Sequence, residues 1–312
     1  MSAALTPSFH HEPVFGPRAI ELLDPHGNGL YVDATVGGAG HARLLLERCE
    51  ACRLLAVDRD PEALAAARVA LSPWVDRVRF LEARFDAVAG DVEVRDAGID
   101  GALLDLGISS HQVDEDRRGF TFREGAPLDM RMSSAGPTAA DLLNSASEEE
   151  LGRIFRDFGE ERRWRALARE VVRRREVTAF ETSDHLVAAL TRVLGRSTQH
   201  QDKARVFQAL RIALNGELEA LEATLPALRD ALHVGGVLVV IAYHSLEDRL
   251  VKHAFREWSR SCVCPPELPV CGCRGRALGT VLTRKPERPD ALEVSTNPRA
   301  RSALLRAWRK AA

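Results

Sequence analysis

The first third of the chain alternates short apolar runs with amphipathic helical runs, and this alternation constrains the fold more than any other feature. The strand-like runs are LYVDATV, RLLAVD, RVRFLEA and IDGALLDLG, and the runs HARLLLERC and PEALAAARVAL follow the first two of them with helical periodicity. Strands that alternate with helices form parallel sheets through right-handed crossovers. The sequence therefore predicts an α/β fold built on an open parallel sheet.

The character of the sequence changes after the fourth predicted strand. Residues 114–205 are polar, rich in arginine and helical in their periodicity. A long amphipathic run, ARVFQALRIALNGELEALEATLPALRDAL, is predicted as one helix that leads into the apolar strand GGVLVVIAYHS, and the tail from Thr280 adds the final strands. We predict one discontinuous α/β domain, residues 1–113 and 206–312, interrupted by an inserted helical domain of residues 114–205.

Charge and hydropathy exclude several classes of protein. Lys and Arg total 43 against 45 for Asp and Glu, so the net charge of -2 gives no global indication of nucleic-acid binding. The longest apolar run, GGVLVVIAY, is too short to cross a bilayer, and the start of the chain does not resemble a signal peptide. We expect a cytoplasmic protein with no membrane partner.

The segment YVDATVGGAGH joins the first predicted strand to the next helix through a cluster of small residues. Gly37, Gly38, Ala39 and Gly40 allow the backbone to turn sharply and a ligand to approach it closely. The segment contains neither the G-x-G-x-x-G pattern of dinucleotide sites nor the Gly-Lys-Ser/Thr of a P-loop. A pyrophosphate or nucleotide phosphate is therefore disfavoured as the ligand.

Acidic residues end three of the predicted strands: Asp33, Asp58 and Asp105. A carboxylate repels a phosphate but suits a cationic amine, and Asp58 lies where such folds bind ribose hydroxyls. S-adenosylmethionine, a nucleoside derivative with a positive charge and no phosphate, fits this set of acids. The alternative is that the acids are ordinary loop residues and the glycines only turn the chain.

Several long blocks of the sequence resemble the ribosomal RNA small subunit methyltransferase H family, also called MraW. The blocks are HHEPV, YVDATVGGAGH, AVDRDPEAL, LLDLGISSHQVD, RGFTFREGAPLDMRM, FGEERRWRALAREVVRRR, FQALRIALNGELEALE, YHSLEDRLVK and NPRARSALLR. The resemblance implies a Rossmann-like class I methyltransferase fold that uses S-adenosyl-L-methionine and carries an inserted all-helical domain.

The same resemblance implies an activity and a partner. The activity is transfer of a methyl group to the exocyclic N4 of a cytidine in the decoding centre, near the P site, of 16S rRNA. The partner is then the small ribosomal subunit, with no role for DNA. The alternatives are a non-catalytic S-adenosylmethionine-binding assembly factor and a nicotinamide dehydrogenase, and the absence of G-x-G-x-x-G disfavours the latter.

By motif, the cofactor contacts of the family fall on Ala39, Gly40, His41, Asp58, Phe85, Asp105 and Gln112. Many relatives have glycine at the position of Ala39, so we expect the site to survive here if the backbone at that position is not in a glycine-only conformation. Physical fit suggests that Asp33 lies near the methionine amine. It also suggests that Asp58 binds the ribose hydroxyls and that Phe85 covers the adenine.

The proposed reaction demands hydrogen-bond acceptors more than a strong base, because the N4 lone pair of cytosine is delocalised into the ring. The sulfonium is already an activated methyl donor, so much of catalysis is alignment. We predict Asp105 as the acceptor nearest N4. We also predict that His244 and Ser245 bind the base or relay the released proton. The alternative is a structural role at the next helix, for which Ser245 is a suitable N-cap.

Two further stretches suggest contacts with RNA. In PLDMRM, Arg131 is placed to hold a phosphate and Asp129 to orient it or to contact the base, although a surface salt bridge is an equal alternative. Trp164 lies within an arginine-rich helical run that includes Arg173 and Arg174. Arginine with an interleaved aromatic suits phosphate contact and base stacking, whereas any single arginine is more often a solvated charge.

Four cysteines crowd into the segment CVCPPELPVCGC: Cys262, Cys264, Cys271 and Cys273. Four thiolates suffice for a tetrahedral zinc site, but the C-x-C spacing is tighter than usual and methyl transfer needs no metal. Structural zinc and reduced thiols therefore both stay open, and no metal is assigned. Cys49 and Cys52 form a C-x-x-C that precedes a strand, where a redox pair should follow one, and we interpret it as incidental.

Overall fold

A computed structural model describes residues 13–133, 135–195, 198–264, 270 and 272–312. The chain separates into two units, one made of Met1–Gly107 with Ala220–Ala312 and the other of Ile108–Glu219. Among the described residues, no helix combines the length and the apolar character needed to cross a membrane. The first residues of the HHEPV block and Cys271 lie outside the described part.

Seven strands form one sheet in the first unit. They are β1 (Leu30–Asp33), β2 (Arg53–Asp58), β3 (Val78–Glu82), β4 (Ile99–Asp105), β5 (Leu232–Ala242), β6 (Gly279–Val281) and β7 (Leu304–Lys310). The order is β3-β2-β1-β4-β5-β7-β6; the first five strands in this order pair in parallel, and β7 pairs antiparallel with both β5 and β6. This topology confirms the predicted Rossmann-like class I methyltransferase fold. The strand order reverses between β1 and β4, where open α/β sheets bind their ligands.

Helices flank the sheet and make up the second unit. Along the chain they are α1 (Gly16–Leu23), α2 (Gly40–Arg48), α3 (Pro61–Ala70), α4 (Val92–Ala97), α5 (Ser110–Asp114), α6 (Ala139–Ser145), α7 (Glu148–Asp157), α8 (Trp164–Arg175), α9 (Ser183–Leu194), α10 (His200–Asn215), α11 (Glu217–Ala231), α12 (Ser245–Trp258) and α13 (Ala291–Thr296). Several begin at caps visible in the sequence. Asp60 accepts a hydrogen bond from the Glu62 N–H, and Pro61 opens α3.

Both faces of the sheet are buried, as expected for parallel strands. Side chains alternate along each strand, so neighbouring residues enter opposite cores. One core contains residues of α1 and α2 together with Tyr31, Leu54, Ala56, Leu103 and Val239. The other contains residues of α11 and α12 together with Val32, Leu55, Val57, Leu104 and Val240. These two layers hold the carboxyl ends of the strands in fixed register.

The second unit has a core of its own, formed by α6 to α10. Its bounds, Ile108–Glu219, are wider than the predicted residues 114–205. The difference arises because the long amphipathic run is not the single helix that we predict from its periodicity. Gly216 adopts φ +59° and ends α10, which packs Phe207 and Leu210 into the helical core. After this break, α11 packs Leu221 and Leu225 against the sheet.

A disulfide joins Cys49, at the end of α2, to Cys52, just before β2. The Cα atoms are 5.5 Å apart, within the range that disulfides span. The tight connection between helix and strand brings the two thiols together. The two cysteines therefore form a structural cross-link, and the interpretation of the C-x-x-C as incidental is wrong. The disulfide lies outside the candidate site described below.

We predict that Gly101→Ala destabilises the protein. A Cβ atom at this position of β4 would lie 2.9 Å from ring atoms of Tyr31 and 3.0 Å from a methyl carbon of Leu23, both buried. Overpacking of this kind costs about 1–3 kcal/mol, which urea denaturation would measure. Gly90→Ala is the control, because nothing lies within 4 Å of a Cβ there. Equal stability of the two variants would contradict the packing described here.

Candidate active site

Three carboxylates lie at the carboxyl ends of adjacent strands. Asp33 ends β1, Asp58 ends β2 and Asp105 ends β4, and β1 lies between the other two strands in the sheet. The negative charges of Asp105 and Asp58 both raise the pKa of Asp33. The structure therefore brings together the three acids that the sequence analysis singles out.

Asp33 is the most deeply buried of the three, with 3% of its surface exposed. Burial, more than any other cause, raises its pKa to about 7, because the charged form loses hydration. One carboxylate oxygen accepts a hydrogen bond from the Thr35 N–H at 3.2 Å. A buried carboxylate with so little compensation is stabilised by any cation that binds beside it.

Asp58 connects the end of β2 to the bend after β1. Its Oδ2 accepts a hydrogen bond from the Gly37 N–H and its Oδ1 accepts one from the Asp60 N–H, each at 2.9 Å. Burial raises the pKa of Asp58, and backbone hydrogen bonds from Asp60, Gly37 and Arg59 oppose that shift. A carboxylate offers about four acceptor sites, so the residue can still accept a hydroxyl donor.

The bend itself is built by left-handed backbone. Gly37 has φ +49°, and Ala39, the N-cap of α2, has φ +65° and ψ 22°. L-residues are allowed in this region but at a cost of roughly 1–2 kcal/mol. The conformation at Ala39 is thus one that favours glycine without requiring it. At Gly38 nothing lies within 4 Å of a Cβ position, which leaves the backbone open to a ligand.

Glycine is needed at position 40 because of packing, not because of its backbone angles. A Cβ atom there would meet three carbon atoms of Pro13 at 3.0–3.1 Å, so its glycine allows Pro13 to pack against the start of α2. His41, the next residue, is buried and its Nε2 lies 2.9 Å from the Val14 carbonyl oxygen. Burial lowers the pKa of His41, and we assign the neutral ring with Nε2 as the donor to that carbonyl.

Asp105 is only partly buried, with a quarter of its side chain exposed. Its Oδ1 accepts a hydrogen bond from the Tyr243 hydroxyl at 2.9 Å, and its Oδ2 lies 3.9 Å from His41 Nδ1. Burial raises the pKa of Asp105 to about 7, while the hydrogen bond from Tyr243 lowers it. A carboxyl group balanced in this way changes protonation near neutral pH.

Three residues that support Asp105 are absent from the sequence-based prediction. The Asp105 N–H donates to Thr35 Oγ1 at 2.7 Å. Tyr243 holds the carboxylate, and its own N–H donates to Glu247 Oε2 at 2.9 Å. Glu247 is 2% exposed and belongs to the capping box of α12. The sequence signal for this arrangement is the spacing from His244 to Glu247, the N-cap and the third residue of a capping box, which marks the start of a helix.

His244, not Ser245, is the N-cap of α12. Ser245 already has helical backbone, and the His244 side chain accepts from the Glu247 N–H at 3.4 Å. His244 Nε2 is buried and lies 3.1 Å from Glu247 Oε1 without the geometry of a hydrogen bond. These contacts correct the expected N-cap and favour the structural alternative for His244. The proposed catalytic roles of His244 and Ser245 remain predictions.

The two remaining cofactor residues lie on different units. Phe85 opens a 3₁₀ turn, Phe85–Gly90, and packs half-buried against the core that contains α11 and α12. Gln112 belongs to the second unit, where its Oε1 accepts a hydrogen bond from the Ser109 N–H at 3.0 Å. Contact of either residue with a cofactor remains a prediction.

Within the second unit, Asp129 and Arg131 form a two-point ion pair, with nitrogen to oxygen distances of 2.9 and 2.7 Å. Met130 between them is buried and adopts φ +59°. Asn215 stabilises this strained turn, because its side chain donates to the Met130 carbonyl and accepts from the Met132 N–H. Strain at a buried non-glycine residue often marks a functional loop.

The arginines of α8 have protein partners. Arg173 and Arg174 both bind the largely buried Glu170, and these hydrogen bonds hold the pKa of Glu170 at about 2. Trp164 packs beside Gly152, and the guanidinium of Arg165 lies 4.3 Å from its ring centroid. The structure therefore gives each of the predicted RNA-binding residues of α8 a local packing or charge partner.

The chain is similar to known proteins along nearly its whole length. Residues 8–311 match the MraW methylase family. Ribosomal RNA small subunit methyltransferase H of Gemmatimonas aurantiaca is 53% identical over 283 residues, 90% of this chain and 89% of the relative. The protein of that name from Heliobacterium mobile is 46% identical over 310 residues, 97% and 99% of the two chains.

Among solved structures, an rRNA methylase from Streptococcus thermophilus aligns with 99% of this chain and 100% of its own. The TM-score is 0.44 and the identity 12%.

We predict that Asp33→Asn flattens the pH dependence of stability. The pKa of Asp33 rises from 3.8 to about 7 on folding, so the folded state binds more protons between those values. The free energy of unfolding therefore falls as pH increases through that range, by on the order of a few kcal/mol. Urea denaturation from pH 5 to 8 would measure the slope. Asp76→Asn, at an exposed site, should keep the wild-type slope; an unchanged slope in Asp33→Asn would contradict the assignment.

Proposed function

Because the chain belongs to the MraW methylase family, we propose that it transfers a methyl group from S-adenosyl-L-methionine to the exocyclic N4 of a cytidine in 16S rRNA. We place the target in the decoding centre of the small ribosomal subunit, and hence the protein in the cytoplasm. The observation that carries the proposal is Asp105, a partly exposed carboxyl at the switch point whose pKa is about 7 and whose orientation Tyr243 holds.

The residues present suit S-adenosylmethionine. The site combines an open backbone at Gly38 with buried carboxylates, and the bend contains no Lys or Arg. Burial leaves Asp33 and Asp105 poorly compensated, so a cationic ligand is favoured and a phosphate is disfavoured. Asp58 is placed to accept the ribose hydroxyls. When bound, the cofactor supplies a methyl group on a sulfonium, which needs no further activation.

Asp105 performs the part of the reaction that the protein must supply. Its carboxylate accepts a hydrogen bond from the cytosine amine, which draws electron density toward N4 and orients the nitrogen lone pair. The bound cofactor would supply the methyl group, and Asp105 or water would take the proton that N4 loses on methylation. Tyr243 keeps one oxygen of Asp105 in place, which leaves the other available to the amine.

The second unit offers a surface for the RNA backbone. Its α7 to α8 region exposes Arg153, Arg156, Arg162, Arg163, Arg165, Arg169 and Arg173. Several of these pair with exposed carboxylates, such as Arg156 with Asp157. Exposed ion pairs are weak, so exchanging such a partner for a phosphate costs little. We propose that Asp129 and Arg131, on the strained turn, contact the RNA near the target base. Trp164 and Arg174 are less exposed and would stabilise the arginine-rich surface.

The activity can be tested with labelled S-adenosylmethionine and small ribosomal subunits, followed by digestion of the rRNA to nucleosides. We expect N4-methylcytidine, and we expect Asp105→Ala to reduce its formation by about 10²–10⁴-fold because both carboxylate acceptors are lost. Asp76→Ala should keep the wild-type rate. Cofactor binding without transfer would instead favour a non-catalytic assembly factor, and methylation of another atom would overturn the N4 assignment.

We predict that Tyr243→Phe shifts the pH profile of methyl transfer to higher pH. Without the hydroxyl, the pKa of Asp105 rises above about 7, because the hydrogen bond from Tyr243 lowers it. Transfer at pH 7 should fall about tenfold and recover as pH increases. Tyr31→Phe is a matched control, since Tyr31 is the only other tyrosine and its hydroxyl contacts the His26 N–H. A uniform loss at all pH values would indicate a purely structural role.

A further inference from the structure

A long connection joins α12 to β6 on the first unit. Its described residues between 259 and 278 form neither helix nor strand. Its two ends meet where the Leu278 N–H donates to the Trp258 carbonyl at 2.7 Å, and Trp258 packs edge-on against Trp308 at 5.2 Å. The base of the connection is thus well anchored.

Three cysteines converge within this connection. The Sγ atoms of Cys262, Cys264 and Cys273 all lie within 4.8 Å of one another, and those of Cys262 and Cys273 are 3.9 Å apart. The Val263 N–H points to Cys273 Sγ at 3.4 Å. The cluster therefore joins Cys262 and Cys273, which are 11 positions apart in the sequence.

The spacing of the sulfur atoms matches a metal site. Zinc–sulfur bonds are about 2.3 Å, so two thiolates of a tetrahedral zinc site lie about 3.8 Å apart. The 3.9 Å between Cys262 and Cys273 is close to that value. The two sulfurs of a disulfide are separated by only about 2.05 Å.

Hydrophobic packing does not account for the cluster. Cys262 is exposed and the other two cysteines are only half-buried, whereas cysteines that serve as small apolar residues are among the most buried of all. Arg274, next to Cys273, fastens this part of the connection to the end of α12. Its guanidinium donates to the carbonyls of Glu257 and Arg260. The thiol cluster is thus held at a fixed place at the surface.

We propose that Cys262, Cys264 and Cys273 bind a structural zinc ion as thiolates. Zinc suits soft sulfur ligands, has no redox chemistry and commonly closes short cysteine-rich loops. Binding displaces the thiol protons and cross-links the connection between α12 and β6. The cross-link lowers the conformational entropy of that connection. The fourth cysteine of the segment, Cys271, lies outside the described residues. The site is separate from the candidate active site, and its role is to order this connection.

The proposal is tested by metal analysis of the full-length protein, purified with a non-thiol reductant and incubated with Zn²⁺ before desalting. We expect about one zinc ion per chain, and at least a tenfold lower occupancy in Cys262→Ser and Cys273→Ser. Ser261→Ala, in the same connection, and the double variant Cys49→Ala/Cys52→Ala should keep the wild-type zinc content. Co²⁺ in place of Zn²⁺ should give a thiolate-to-metal charge-transfer band that both serine variants lose.

Limited proteolysis supplies a readout that does not depend on metal content. Chelation of zinc should speed cleavage between residues 259 and 278 in the wild type but not in Cys273→Ser, which is already cleaved fast. The proposal is overturned if the reduced, zinc-treated protein retains less than about 0.1 zinc per chain. It is also overturned if zinc persists in both serine variants.

Discussion

Burial of carboxylates at the ends of neighbouring strands is the constraint on which the site depends. Asp33, Asp58 and Asp105 lose hydration because both faces of the sheet are covered by helices. The backbone N–H groups of the bend compensate part of that loss, and burial still raises the pKa of Asp33 and Asp105 to about 7. A cationic ligand relieves the remaining cost, so the fold itself selects the charge of what it binds.

The orientation of Asp105 depends on a second element, the start of α12. Glu247 caps that helix and holds the Tyr243 backbone, and the Tyr243 hydroxyl then fixes one oxygen of the carboxylate. The hydrogen bonds that stabilise the start of α12 therefore also orient the Asp105 carboxylate. The same helix ends at Trp258, from which the cysteine-containing connection begins. A structural ion at that connection would order the far end of the helix that supports the site.

Much of the fold was predictable because it follows from local patterns. Apolar runs bounded by acids and glycines correctly predicted β1 to β4, and the three acids followed from where those runs end. The prediction failed where the outcome rests on a single residue or on distant pairing. Gly216 divides an unbroken amphipathic pattern between two cores, and the periodicity on either side of it is the same. The N-cap of α12 was misplaced by one position because serine is a preferred cap by composition and histidine is not.

The sequence alone determined the alternation of strands and helices, the acids at the strand ends and the family resemblance, since each is written in consecutive residues. Only the tertiary structure decided that Tyr243 supports Asp105. The two residues are 138 positions apart, and they meet because β5 pairs in parallel with β4 with Asp105 opposite Ile241. The tertiary structure likewise decided which arginines have carboxylate partners. It also brought the thiols of Cys262, Cys264 and Cys273 together. Side-chain contacts between distant segments depend on sheet register and helix packing, which no local pattern specifies.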